Sequence, residues 1–211
     1  MPERDDLRVP PLRLGVLASG RGTNLQAILD AIEAGRCPAR VVAVVSDRAG
    51  APALDRGRRA GIKSVHLDPH LSGDRAAFDQ AVAAVLTEHA VELVCLAGYL
   101  RLLSPAFVAA FRGRILNVHP ALLPAFRGLH AQRQALDYGV KVAGATIHFV
   151  DEGVDAGPIV LQAAVPVLED DTEESLAARI QGEEHRLYPE AIRLYAEGRL
   201  EIEGRRVRSH P

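Results

Sequence analysis

Five short apolar runs, separated by four helix-forming stretches, constrain this chain more than any other feature. The runs are LRLGVLA (Leu12–Ala18), RVVAVVS (Arg40–Ser46), IKSVHL (Ile62–Leu67), VELVCLA (Val91–Ala97) and RILNV (Arg114–Val118). Runs this continuously apolar suit strands buried on both faces, as in a parallel sheet covered by helices. The stretches between them are NLQAILDAIEAG, APALDRGRRAG, DRAAFDQAVAAVLTEHA and SPAFVAAFRG. In the third, Phe78, Val82 and Val85/Leu86 recur at helical spacing and give one apolar face. Ser104-Pro105 reads as an N-cap with proline at the first helical position. The alternation predicts an α/β fold with a mostly parallel, doubly wound sheet, Rossmann-like in its N-terminal half.

Beyond about residue 140 the rhythm changes. VAGATIHFVD and PIVLQAAVPV are strand-like and separated only by EGVDAG, too short for a helical crossover. They are expected as antiparallel neighbours, so the C-terminal part of the sheet is mixed. A long helix is expected over Thr172–Glu197, then a hairpin in RLEIEGRRVR turning at Glu203-Gly204. With no repeat or Pro/Gly-rich linker, residues 12–211 are expected to form one domain, with residues 1–11 an N-terminal extension outside it.

The chain has 48% hydrophobic and 25% charged residues and a formal net charge of −2. Such a balance offers no global field for nucleic acid or an anionic membrane surface. The opening MPERDDLRVPPL lacks the apolar core of a signal peptide. No run approaches the roughly 18 apolar residues of a membrane helix. Cys37 and Cys95 do not make a disulfide framework. The expectation is a soluble cytoplasmic protein.

Three segments carry chemistry. In SGRGTNLQ (Ser19–Gln26), Gly20 and Gly22 permit a tight turn, and free N–H groups at the following helix start face an anion. A plain glycine turn is an equally good reading of this segment alone. A dinucleotide site is the rival, because Asp47 ends the second strand where a ribose-binding acid is expected. Leu25, however, stands where the third fingerprint glycine belongs, and no Gly-Lys-Ser/Thr follows. Thr23 and Asn24 add donors suited to one compact phosphate.

In NVHPALLPAFRGLHA (Asn117–Ala131), the fifth strand ends where α/β folds place their ligands. Asn117 and His119 point to the same side of an extended segment. The amide donates without titrating, whereas the imidazole both donates and carries a proton. Such a pair can hold an oxyanion and shuttle a proton; the ordinary alternative is two side chains satisfied by neighbouring backbone. Pro120 and Pro124 restrict the chain beyond them. In HFVDEGVDAGPI (His148–Ile159), an acid such as Asp155 is usually a solvated turn residue. It gains a role if the fold brings it beside His119, where a carboxylate orients the ring and favours its charged form. The spacings of His119, His130, His148, Asp151 and Asp155 match no standard zinc pattern, so no metal is expected.

SGRGTNLQAI, LAGYLRLLSPAF, NVHPALLPAFRGLHA and DEGVDAGPIVLQ, in this order, resemble the folate-dependent phosphoribosylglycinamide formyltransferases of de novo purine synthesis. The similarity runs from about Leu12 to the terminal hairpin. It implies formyl transfer from 10-formyltetrahydrofolate, as co-substrate, to the amino group of glycinamide ribonucleotide. It implies a catalytic trio of Asn117, His119 and Asp155, supported by His148, with a protonated His119 and Asn117 on the oxyanion and Asp155 moving the amine's proton. It places Gly22, Thr23 and Asn24 on the ribonucleotide phosphate. Gln181, Gly182, Glu183 and Glu184 close on the same substrate, with Glu184 at the ribose hydroxyls. Arg75, Leu100, Arg101, Leu102 and Leu103, together with Asn117 and the loop Asp151, Glu152, Gly153, Val154 and Asp155, line the folate site. The chain departs from the family pattern at Ala121, where serine is usual, at Arg127, where proline is frequent, and at the variable Arg21.

Two small molecules are therefore the expected partners, with neither nucleic acid nor membrane; pairing of an edge strand in a homodimer stays open. A formyltetrahydrofolate hydrolase would carry a further domain before the first strand. A methionyl-tRNA formyltransferase would need a nucleic-acid-binding domain and a basic excess. A non-catalytic nucleotide sensor on the same fold is the alternative from another functional class.

Overall fold

A computed structural model describes residues 10–210 of the chain. The N-terminal extension expected over residues 1–11 therefore lies, for residues 1–9, outside the described residues. The N-terminal half alternates as expected: β1 (Leu12–Leu17), α1 (Thr23–Glu33), β2 (Ala39–Ser46), α2 (Pro52–Arg59), β3 (Lys63–His66), α3 (Arg75–Glu88), β4 (Leu93–Leu96), α4 (Pro105–Ala110) and β5 (Ile115–His119). The C-terminal half adds α5 (Ala131–Tyr138), β6 (Val142–Phe149), β7 (Ile159–Pro166), α6 (Glu173–Ala196), β8 (Leu200–Glu203) and β9 (Arg206–Ser209).

All nine strands join one sheet in the order β3-β2-β1-β4-β5-β6-β7-β9-β8. Strands β1 to β5 pair in parallel, whereas β6 runs antiparallel to both β5 and β7. The terminal hairpin attaches through β9, parallel to β7 at Ile159 and Arg206. Strand order reverses between β1 and β4, and chain connections leaving in opposite directions there open a crevice at the strands' C-terminal ends.

Helices cover both faces. One apolar cluster joins Leu25 and Ile28 of α1, Leu54 of α2 and Leu176, Ile180, Leu187 and Ile192 of α6 to the sheet. The other joins Phe78, Val82 and Leu86 of α3 and Phe107 and Val108 of α4 to the opposite face. Helix starts follow capping chemistry: the Ser104 hydroxyl accepts from Phe107 N–H at 3.3 Å, and Thr172 and Ser175 form a capping box before α6. Tyr188 of α6 is fully buried, and its hydroxyl sits between the carbonyls of Leu96 (3.1 Å) and Leu116 (2.9 Å), bridging β4 and β5. No helix among the described residues is long and apolar enough to cross a membrane.

The structure adds one helix to those read from the sequence. Helix α5 buries only Ala131 and Ala135, so HAQRQALDYG carries no apolar stripe to announce it.

Candidate active site

Strand β5 ends at the bottom of a cleft of about 650 Å³. Its antiparallel register with β6 sets Asn117 opposite His148 and His119 opposite Thr146. His148 Nδ1 lies 2.9 Å from its neighbour's carbonyl, Phe149 O, so that nitrogen carries the proton and Nε2 is an acceptor. Asn117 Nδ2 reaches that acceptor at 3.1 Å and makes a longer contact of 3.4 Å to Asp155 Oδ1. Both amide hydrogens are thereby oriented, one firmly and one loosely.

Asp155 comes from the β6–β7 connection, which turns back across the end of β5. The loop can close so tightly because residue 157 is glycine: a Cβ there would collide with the Phe149 carbonyl. Asp155 itself adopts φ 46°, a left-handed conformation that aspartate tolerates better than most residues. Its Oδ2 accepts from Gly128 N–H at 2.8 Å and lies 3.3 Å from His119 Nδ1. The carboxylate is thus beside the imidazole, as the sequence reading required.

The later part of the same NVHPALLPAFRGLHA segment, to which the sequence reading gave no contact of its own, holds this arrangement from the other side. The Phe126 carbonyl accepts from His119 Nε2 at 2.8 Å, while Gly128 N–H holds Asp155. The Leu-Leu-Pro stretch before them is anchored by polar side chains of β6 and β7: Leu123 N–H donates to Thr146 Oγ1 (3.1 Å), and Gln162 Nε2 donates to Leu123 O (3.0 Å). The rigidity first read from Pro120 and Pro124 therefore owes much to these hydrogen bonds.

The charge state of His119 differs from expectation. Burial holds its pKa below the ordinary 6.5, outweighing Asp155 and the Phe126 carbonyl, which both push it up. A neutral ring with Nε2–H on Phe126 O turns the lone pair of Nδ1 toward Asp155. Burial works against ionised Asp155, yet its carboxyl stays below the ordinary 3.8, with the Gly128 N–H bond among the groups that hold it down. Asp155 Oδ2 and His119 Nδ1 face one another across 3.3 Å, a separation that one shared proton bridges.

At the other end of the cleft, Asn24 of α1 donates to Glu184 of α6 at 2.9 Å, and Gln181 Nε2 donates to Thr23 Oγ1 at 3.1 Å. Burial raises the Glu184 pKa, opposed by the Asn24 hydrogen bond. Positions 181 and 184 share a helix face, which brings both to the glycine turn. Of the predicted ribonucleotide residues only Asn24 and Glu184 line the cleft; Gly22, Thr23 and Gln181 lie behind them, and Gly182 and Glu183 do not line it either, Glu183 pairing with Arg186 at 2.7 Å. Gly22 has φ 71°, and a Cβ there would sit 2.8 Å from Ala53 Cα. Glycine is thus demanded at this turn by α2 as well as by any ligand.

The cleft also gathers Arg75, Leu100 to Leu103 and Asp151 to Asp155, with His148. It also gathers Gly128, Leu129 and His130, to which the sequence reading gave no part in ligand binding. Leu100, Leu102, Leu129 and Val154 stay exposed on its walls. The Arg101 guanidinium stacks over the Phe78 ring, 4.7 Å from its centroid. Such a site suits a flat apolar ligand at one end, an anion or polyol at the other, and proton transfer between them.

The formyl transferase family model matches residues 12–192. Phosphoribosylglycinamide formyltransferase of Escherichia coli is 44% identical over 191 residues, covering 90% of this chain and 90% of that protein. The bovine trifunctional purine biosynthetic protein adenosine-3 is 46% identical over 190 residues, or 90% of this chain, which spans only 19% of that longer protein. Among solved structures, glycinamide ribonucleotide transformylase 1 from Symbiobacterium toebii superposes with a TM-score of 0.94 at 63% identity, covering 95% of both chains. With likeness of this extent in both sequence and fold, the chain belongs to the phosphoribosylglycinamide formyltransferases of the formyl transferase family.

Proposed function

We propose that this chain transfers the formyl group of 10-formyltetrahydrofolate to the amino group of glycinamide ribonucleotide, and that Asn117, His119 and Asp155 carry the chemistry. The observation that carries this reading is the convergence of those three side chains at the end of β5. The apolar walls at Leu100, Leu102, Leu129 and Val154 suit the fused ring of the folate, and the exposed Arg75 suits its carboxylates. The ribonucleotide is assigned to the other end: its phosphate to the glycine turn with Thr23, its ribose hydroxyls to Glu184. The Glu184 carboxylate accepts from such hydroxyls, and the bond from Asn24 fixes its orientation.

In the first step the amine lone pair forms a bond to the formyl carbon, and the carbonyl electrons move onto oxygen. Asn117 supplies a donor to that oxygen. Its firm bond to His148 fixes the amide, and its 3.4 Å contact to Asp155 is the one the oxyanion replaces. One such donor typically contributes about 3–4 kcal/mol to the transition state. The nitrogen is now ammonium-like and loses a proton, and the space between Asp155 Oδ2 and His119 Nδ1 receives it. The ring becomes cationic only then, when the oxyanion needs a positive neighbour. The same proton passes to N10 as the carbon–N10 bond breaks, which returns His119 to its neutral form.

The test is an assay with the purified chain, both substrates and each substrate omitted in turn. Formylated ribonucleotide appearing only with both supports the reading. Formate released from the folate without ribonucleotide would make it a hydrolase, and binding without turnover a sensor.

A further inference from the structure

Two consecutive carbonyls of the glycine turn are held by helix α2. Gly20 O accepts from Ala53 N–H at 3.2 Å, and Arg21 O accepts from Arg56 Nε at 2.9 Å. In a planar trans peptide the C=O and N–H point in opposite directions. Fixing these carbonyls on α2 therefore turns the N–H groups of Arg21 and Gly22 to the side away from it. Gly22 is the N-cap of α1, with φ 71° and ψ 31°, no side-chain cap and no acidic residue in the first turn. The N–H groups of that turn thus extend the same row of donors into the positive end of α1. Consecutive N–H groups so aligned make an anion-binding concavity.

Arg56 is the side chain that ties this turn to both neighbouring helices. Its Nη1 donates to Gln26 Oε1 at 2.9 Å, so one half-buried guanidinium joins α2, the turn and α1. The aliphatic stem lies against the turn as well, with Cδ 3.3 Å from where a Gly22 Cβ would stand.

We infer that Arg56 is a positioning residue for the ribonucleotide phosphate, resting on the assignment of that phosphate to the glycine turn. It acts through the turn: by holding the carbonyl of one peptide it aims the Gly22 N–H on the opposite edge of the same peptide.

The test compares parent, Arg56→Ala, Arg56→Lys and Gln26→Leu proteins. Each substrate is varied in turn, and inorganic phosphate is titrated as an inhibitor competing with the ribonucleotide. In Arg56→Ala, the ribonucleotide KM and the phosphate inhibition constant should rise together by about tenfold or more, the scale of a lost charge-assisted hydrogen bond. The folate KM and kcat should stay within about twofold, because that end of the cleft and the trio do not touch Arg56. Arg56→Lys keeps the charge but loses the two-partner guanidinium, and should recover little. Gln26→Leu should move the same two constants the same way by a smaller factor, and decides the matter if Arg56→Ala fails to fold. Unchanged ribonucleotide KM in Arg56→Ala, or full recovery by lysine, would overturn the inference, as would parallel rises in both KM values. A parent enzyme that turns over yet is not inhibited by phosphate would instead remove the phosphate assignment itself.

Discussion

His119 is a base whose free nitrogen faces another acceptor, and its behaviour follows from that. The Nε2–H tautomer should be visible by nitrogen-15 NMR near neutral pH, with the ring titrating below its ordinary 6.5. A ring charged at neutral pH would contradict the burial argument. The sign for stability is fixed by the same shift. The unfolded ring binds its proton at higher pH than the folded one, so stability is full above about pH 6.5 and is lost as pH falls toward the folded value. In Asp155→Asn, the new amide donates to Nδ1, locks the ring neutral and lowers its pKa further. The shared proton loses its place, so kcat should fall by about a hundredfold or more at every pH. An Asp155→Asn protein with near-parent turnover would show that Asp155 only shapes the loop. Asn117→Asp sets a second carboxylate about where the 3.4 Å contact to Asp155 now lies and removes the oxyanion donor. Its kcat should drop by about a hundred- to a thousandfold, with circular dichroism unchanged.

Among the elements, α6 does the most varied work, since its two halves serve different ends. Glu184 lines the cleft and Gln181 bonds the glycine turn behind it, while the Tyr188 hydroxyl sits between carbonyls of two adjacent strands. Tyr188→Phe leaves both carbonyls without that donor and should cost about 1–3 kcal/mol in a urea denaturation series. Because β4 and β5 still pair through their backbone, activity should largely survive in the folded fraction. Elements with one strong local habit were legible in the sequence. Strands β1, β2 and β4 are apolar almost throughout, and α6 carries its capping residues openly. Helix α5 was not, because two buried alanines make no stripe. The site divides the same way. Asn117 and His119 declare themselves by strand spacing, whereas the place of Asp155 depended on a resemblance. The Phe126 and Gly128 contacts act through backbone atoms, which residue identity does not record. The burial that lowers the His119 pKa was hidden for a related reason: a neighbouring carboxylate was foreseen, but the depth of burial is a property of the fold.

At the scale of the whole molecule, the cleft is assembled from segments far apart in the chain. Strand β5 and the β6–β7 loop bring the reacting groups together over a few dozen residues, but the ribonucleotide end waits for α6. The Asn24–Glu184 hydrogen bond joins positions 160 apart, and Gln181–Thr23 joins positions 158 apart. Ligand binding to the folded state alone adds stability, about 2.7 kcal/mol at a hundredfold excess over Kd. Saturating ribonucleotide should therefore raise the melting temperature of the parent protein, and raise that of Glu184→Ala protein much less. The order of synthesis gives this separation a further meaning. On the ribosome the glycine turn emerges well before its partner on α6. Until α6 has followed it out, neither Gln181 nor Glu184 is there to meet Thr23 and Asn24. The ribonucleotide end of the cleft is thus the part whose closing waits longest on synthesis.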